Sequence, residues 1–338
     1  MTDVLTVAGA PAADVLTMAD VLTMADVLEA GRVLARHLPP TPMWAYPALD
    51  ALAGATIYVK HENTQPVGAF KVRGGVALLA GMPAAERERG LVTYSTGNHA
   101  QSLAYAGRLF GVRTVVVMPA AANEAKVRAV RALGGEAVLH GADMGEAQAR
   151  AERLARAEGL RLISPGDEPA LLAGVGTAYL EMLTAVPNLD VLVVPVGSGT
   201  GAAAACVVAA ALAPACEVIG VQSSAAPAGY ESWRLGDLVS RPSRTVVEGL
   251  ATGRGYALPQ RLMSGRLADF VLVADAEIAA AQAVLASHAH TLAEGAGAAA
   301  LAAVLARPER FAGRRVGIMC SGGNASAAEI AGIAASRP

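Results

Sequence analysis

The segment Val191-Leu192-Val193-Val194-Pro195-Val196-Gly197-Ser198-Gly199-Thr200-Gly201 decides the fold. Its first six residues are apolar and mostly β-branched, the composition of a strand buried on both faces. Three glycines at alternate positions end that strand, and the alanine-rich run over 201–212 begins a helix at once. A strand, a glycine loop and a helix in this order form half of a βαβ unit. Glycines let backbone N–H groups approach an anion closely, at the positive end of the following helix. Gly197, Ser198, Gly199, Thr200 and Gly201 therefore read as a phosphate cradle. A dinucleotide would also suit such a loop. Its ribose carboxylate, however, belongs at the end of the next strand, and Glu217 stands at the start of it; nor does the loop end in the Gly-Lys-Ser/Thr of a P-loop.

The same alternation extends outward in both directions. β-Rich runs lie at 57–59, 91–94, 114–118, 136–139, 218–221, 270–273 and 316–319, and helical stretches at 72–80, 100–110, 124–133, 145–157, 177–183, 278–288 and 297–305. This pattern predicts an α/β protein with parallel sheets covered by helices. At 338 residues the chain has the length of about two domains. Lys and Arg number 27 against 29 Asp and Glu, without long runs of one sign, which argues against a nucleic-acid or membrane-surface protein. Hydrophobic residues reach 54%, but the alanine-rich runs are shorter than the roughly 20 residues of a membrane span. Cys206, Cys216 and Cys320 show no CxxC or Cys/His spacing, so neither disulfides nor zinc are indicated and a reducing, cytoplasmic setting fits. The N-terminus repeats ADVLTM at 13–18 and 19–24 and ADVL at 25–28. A period of six follows no helical face and the segment carries aspartates, so 1–28 reads as an added arm, disordered or weakly helical, rather than a secretory signal.

In open parallel sheets the chemistry gathers after strand ends, and three further strand ends stand out. The first leads through Lys60-His61-Glu62-Asn63-Thr64-Gln65-Pro66-Val67-Gly68-Ala69-Phe70 to Lys71 at the start of a helix. The positive end of that helix disfavours protonation of Lys71, as a Schiff-base lysine requires. The second is Ser95-Thr96-Gly97-Asn98-His99, which offers backbone N–H groups and hydroxyls at a helix N-terminus, suited to a carboxylate or to ordinary capping. The third is Cys320-Ser321-Gly322-Gly323-Asn324, where a serine could meet a ring nitrogen. Of the remaining polar residues, His288 and His290 read as surface groups, Lys126, Arg128 and Arg131 as a solvated basic face, and Tyr230, Trp233 and Arg254 as candidate lining of a substrate pocket.

From Thr41-Pro42 to Asn324 these motifs, in this order and spacing, resemble the β-family (fold type II) of pyridoxal-phosphate enzymes, specifically the serine/threonine dehydratase group. The resemblance implies two open parallel-sheet, three-layer domains of the tryptophan-synthase β-like kind with pyridoxal 5'-phosphate between them. It places the large domain at 29–85 plus 168–334 and a small mobile domain at 86–167. It implies that Lys71 carries the cofactor, Phe70 packs beside the ring and Asn98 meets the phenolic oxygen. Residues 197–201 would then hold the phosphate, Ser321 the pyridine nitrogen and Glu294 a place near the ring. Ser95, Thr96, Gly97, Asn98 and His99 would bind the substrate carboxylate. His99-Ala100-Gln101 after Asn98 points to elimination over replacement, and Thr96 stands where racemases of the group have serine. The stretch Gln222-Ser223-Ser224-Ala225-Ala226-Pro227-Ala228 lacks the carboxylates of the group's divalent-metal site, so no metal is expected. The implied activity is α,β-elimination of a β-hydroxy amino acid such as L-threonine or L-serine to a 2-oxo acid and ammonia, by a homodimer. The alternatives are racemisation, β-replacement, or dehydration of 3-hydroxyaspartate or phenylserine. A nicotinamide oxidoreductase or a non-catalytic amino-acid binder would leave Lys71, Asn98 and Ser321 together unexplained.

Overall fold

The computed structural model describes residues 22–336. Among the described residues there are ten strands: β1 (Met43–Ala45), β2 (Thr56–His61), β3 (Leu91–Tyr94), β4 (Thr114–Met118), β5 (Glu136–Leu139), β6 (Arg161–Ile163), β7 (Val191–Pro195), β8 (Glu217–Ser223), β9 (Asp269–Val273) and β10 (Arg315–Cys320). They form a six-stranded sheet in the order β1-β2-β10-β7-β8-β9 and a four-stranded sheet in the order β5-β4-β3-β6. All pairings are parallel except β1 on β2, where Met43 faces Lys60 and Ala45 faces Tyr58.

β7 lies inside the larger sheet with all five residues buried. Its side chains alternate between two cores. Val191 and Val193 pack with the helix Gly295–Ala306, while Leu192 and Val194 pack with the helices Pro169–Ala185 and Thr200–Leu212. Helix, sheet and helix make three layers, and the alanines of these helices let them lie close to the strands. The four-stranded sheet repeats the plan at smaller scale. Val115 and Val117 face Ala147, Ala151 and Leu154 on one side; Val116 and Met118 face Ala100, Ala104, Val127 and Val130 on the other.

Two strands and several helices were not legible in the sequence. β1 lies between Pro42 and Pro47, and β6 is three residues long with Arg161 paired to Glu86 and Glu168. The helix Pro169–Ala185 is longer than the 177–183 expected because it is buried on nearly every side, which erases the amphipathic period. The N-terminal arm also needs correction. Residues 1–21 lie outside those described, but Leu22 and Val27 are buried, and Met24–Leu34 is a helix packed on Pro169–Ala185. Thr23 and Asp26 close a capping box, with the Asp26 amide donating to Thr23 Oγ1 at 3.3 Å and the Thr23 amide to Asp26 Oδ2 at 2.8 Å. The last copy of the repeat thus starts a core helix. Among the described residues no helix is long and apolar enough to cross a membrane.

Candidate active site

A cavity of about 430 Å³ opens where the carboxyl ends of the two sheets meet. Phe70 and Lys71, residues 95–99, residues 197–201 and Ser321 from the four strand ends line it, together with Glu294. The loops come together through the order of the strands. β10 lies between β2 and β7, so the segments following β2, β10 and β7 emerge side by side although they are far apart in sequence.

Lys71 begins the helix Lys71–Gly81 and extends to the glycine loop, donating to Thr200 Oγ1 at 2.5 Å and Ser198 Oγ at 3.3 Å. Burial lowers its pKa to about 8. The Phe70 ring centre is 5.3 Å from the lysine nitrogen. Phe70 is fixed by its backbone amide, which donates to the Ser321 carbonyl at 3.0 Å, and Gly323 likewise donates to the Gly68 carbonyl at 2.8 Å. These contacts join the loop before Lys71 to the loop after β10. Ser321 itself is buried at the cavity wall.

The glycine loop is shaped by contacts that leave no room for side chains. A β-carbon on Gly197 would stand 2.3 Å from the Gly249 carbonyl oxygen, and Gly199 has φ +90°, where a side chain is strained. Gly199 caps the helix Thr200–Leu212 without any side-chain bond to its first amides, so the end of the helix faces the cavity. Capping was the competing explanation for Ser95, Thr96 and Asn98. Gly97 is the cap of the helix Asn98–Phe110, again with no side-chain bond, and Ser95 Oγ accepts instead from the Gly97 amide at 3.2 Å.

Asn98 donates from Nδ2 to Glu294 Oε1 at 2.6 Å and accepts at Oδ1 from Asn324 at 2.8 Å. Burial raises the Glu294 carboxyl to about 7, against the Asn98 bond and with a further push from Glu329. The His99 ring turns away from solvent. Its Nε2 meets Thr93 Oγ1 at 2.9 Å, and because that hydroxyl donates to the Ile163 carbonyl, Nε2 carries the proton and Nδ1 is a buried acceptor without a partner among the described residues. Burial, with Lys71 nearby, lowers the His99 pKa to about 3, so the ring is neutral.

Several residues depart from their sequence-based reading. Lys126 is not a solvated charge: it contacts Glu248 and adjoins Glu294 and Glu329 in a small side pocket. Tyr230 and Trp233 do not line the cavity but pack on Phe270, with centroid distances of 5.6 and 5.9 Å. Arg254 does line it, held to Tyr94 and Tyr256. Tyr94, Gly249, Thr252 and Tyr256 also line it and were not foreseen. Tyr94 ends β3, and the only signal for the other three was a long irregular stretch after β8, a feature that often carries function.

Comparison with known proteins agrees with this geometry. The family model described as "pyridoxal-phosphate dependent enzyme" matches residues 34–322. The chain is 36% identical over 297 residues to the L-threonine ammonia-lyase of Thermotoga maritima, covering 88% of this chain and 74% of that protein. It is 34% identical over 292 residues to the β-hydroxyaspartate dehydratase of Paracoccus denitrificans, covering 85% and 91%. Among solved structures, the processed form of threonine deaminase isoform 2 from Solanum lycopersicum superposes with a TM-score of 0.86 at 28% identity, covering 92% of this chain and 91% of that one.

Proposed function

The chain belongs to the pyridoxal-phosphate-dependent enzymes, and from that membership we propose that it is an ammonia-lyase that converts a β-hydroxy amino acid, such as L-threonine or L-serine, to a 2-oxo acid and ammonia. The observation that carries this reading is the placement of Lys71. A lysine whose pKa burial has lowered to about 8 lies within hydrogen-bond reach of two hydroxyls of a glycine loop, in a cavity that Ser321 shares. The names of the Thermotoga and Solanum relatives support the same reaction.

The residues present suit pyridoxal 5'-phosphate. The close packing at Gly197 and the left-handed Gly199 keep the loop open to a dianion, and Ser198 and Thr200 add hydroxyl donors. Lys71 would hold the cofactor covalently, Phe70 would flank its ring, Asn98 would meet the phenolic oxygen and Ser321 would face the ring nitrogen. When bound, the cofactor supplies an electron-poor ring that stabilises charge left at the substrate's Cα. The chain's own groups would do the rest. The uncapped start of the helix Asn98–Phe110, with Ser95 and Thr96, would hold the substrate carboxylate and so orient the Cα–H bond toward Lys71. The Lys71 amine, which burial keeps from holding its charge firmly, would take the Cα proton. Ser321 would give the ring nitrogen a neutral hydroxyl partner in place of a carboxylate. The neutral His99 ring behind the carboxylate site adds no further cation to the cavity.

On this reading residues 86–167 act as the small mobile domain, residues 29–85 with 168–334 as the large one, and the enzyme works as a cytoplasmic homodimer. The three buried, unpaired cysteines suit a reducing compartment. The test is release of 2-oxo acid by cofactor-loaded protein across L-threonine, L-serine, the 3-hydroxyaspartates and phenylserine, beside the Lys71→Ala variant. Lys71→Ala is expected to lose turnover at least about 1,000-fold, together with the absorbance of lysine-bound cofactor. A variant that keeps both would sink the proposal. Silence of the wild type on every substrate, with cofactor bound, would move the assignment to racemisation or β-replacement.

A further inference from the structure

We propose that Arg254 is the specificity residue of this site and that it receives a second carboxylate on the substrate, which makes the substrate a β-hydroxy amino dicarboxylate of the 3-hydroxyaspartate class. The proposal rests on the elimination reading above and adds to it which substituent Cβ carries.

Lys71 and Arg254 are the cations that line the cavity among the described residues. Lys71 is already engaged by Ser198 and Thr200. Arg254 lies across the cleft from the smaller sheet, where its Nη2 donates to the Tyr94 hydroxyl at 3.1 Å and its guanidinium carbon is 4.8 Å from the centre of the Tyr256 ring. Its backbone is pinned by a bridge to Ser240 and by bonds from Arg241 to the Gly253 carbonyl and from Gly255 to the Val239 carbonyl. The side chain is therefore positioned, yet it forms no ion pair among the described residues. Asp167, the nearest carboxylate acting on it, already accepts from the Leu258 amide at 2.9 Å at the head of the helix Ala257–Met263. The carboxylates that line the cavity are also occupied, Glu248 by Lys126 and Glu294 by Asn98.

A half-buried guanidinium stacked on one phenol and bonded to another keeps donors for a planar anion. Neither the methyl of threonine nor the hydrogen of serine would use it. The substrate's α-carboxylate has its own site, the uncapped helix start that directly follows Tyr94. A carboxylate on Cβ fits the remaining geometry: one carboxylate on the helix start, the other on Arg254, and the Cα–Cβ bond between them. The reaction balances without any further reagent. The Cα–H and Cβ–OH bonds break, one water leaves and one is taken up as ammonia is released, so 3-hydroxyaspartate becomes oxaloacetate and ammonia with no net redox change.

The experiment compares kcat/KM for L-threonine and for the 3-hydroxyaspartates in the wild-type holoenzyme and in Arg254→Gln and Arg254→Lys. The wild type is expected to prefer a 3-hydroxyaspartate by at least tenfold. Arg254→Gln is expected to lower that preference about 100-fold or more, with Arg254→Lys in between. A second readout needs no turnover: succinate should raise the unfolding temperature of the wild-type holoenzyme more than propionate does, and this difference should vanish in Arg254→Gln. Equal losses on all substrates would assign Arg254 to the α-carboxylate and overturn the proposal, as would an unchanged preference. Absence of 2-oxo acid from every substrate in the wild type would instead overturn the elimination reading, and the succinate difference would still report on Arg254.

Discussion

Glu294 shows how one buried group ties stability to pH. Its carboxyl ionises near 7 in the folded protein and near the ordinary carboxylate value when unfolded. Between those two values the folded state binds the extra proton, so stability falls as pH rises from about 4.5 to 7. Glu294→Gln keeps an oxygen for the Asn98 amide and removes the titration. Its stability relative to wild type is therefore expected to grow across that window, by an amount of order 3 kcal/mol at pH 8, and denaturant midpoints at pH 5 and pH 8 measure it. A gap that does not widen with pH would show that Glu294 is not the group responsible. His99 acts in the opposite sense, since a neutral buried ring with a pKa near 3 withdraws stability as pH falls below about 6.5. None of this was legible beforehand. Glu294 was singled out by resemblance, but its contact with Asn98 spans 196 positions in the chain and joins the helix that follows β3 to the start of the helix Gly295–Ala306.

The helix Lys71–Gly81 is held from beneath by charge. Arg73, 2% exposed, donates to both oxygens of the fully buried Glu62 at 2.7 and 2.8 Å and to Glu181 Oε1 at 2.7 Å, while Lys60 donates to Glu181 Oε2 at 2.5 Å. Two residues after Lys71, this network sets the depth at which the lysine enters the cavity. Arg73→Met would strand a buried carboxylate, and a loss of about 3 to 5 kcal/mol in unfolding free energy is expected. The double variant Arg73→Met with Glu62→Leu should recover a large part of it, because no charge is then left unpaired. A double variant no more stable than the single would point to packing instead. At this scale the sequence was informative where a short β-rich run is set off by a glycine or a proline: β3 after Gly90, β4 before Pro119 and β5 after Gly135 occupy the residues expected. It was uninformative where tertiary contacts supply the order, as in β6, whose three residues pair with β3.

The molecule as a whole is two sheets with separate cores that share a cavity. Tyr94 and Arg254 meet across it, as do Lys126 and Glu248. A ligand that draws on both sides should tighten the region between them more than either core. Hydrogen exchange of the holoenzyme with saturating succinate is expected to slow at residues 95–101 and 250–258 and to stay unchanged in β7 and β8. Slowing confined to one side of the cavity would contradict a site shared by the two units. The chain alone determined the α/β class, most strands, the two lysine and glycine-loop segments and the family, because each is written in local periodicity or in a contiguous motif. Only the tertiary structure decided which loops face one another, that the end of the N-terminal repeat is a core helix, that Lys126 turns inward, and that Arg254 stands in the cavity without an ion-pair partner among the described residues. Those outcomes depend on strand order and on which charges the fold brings within reach, and neither is encoded in residues that are neighbours in sequence.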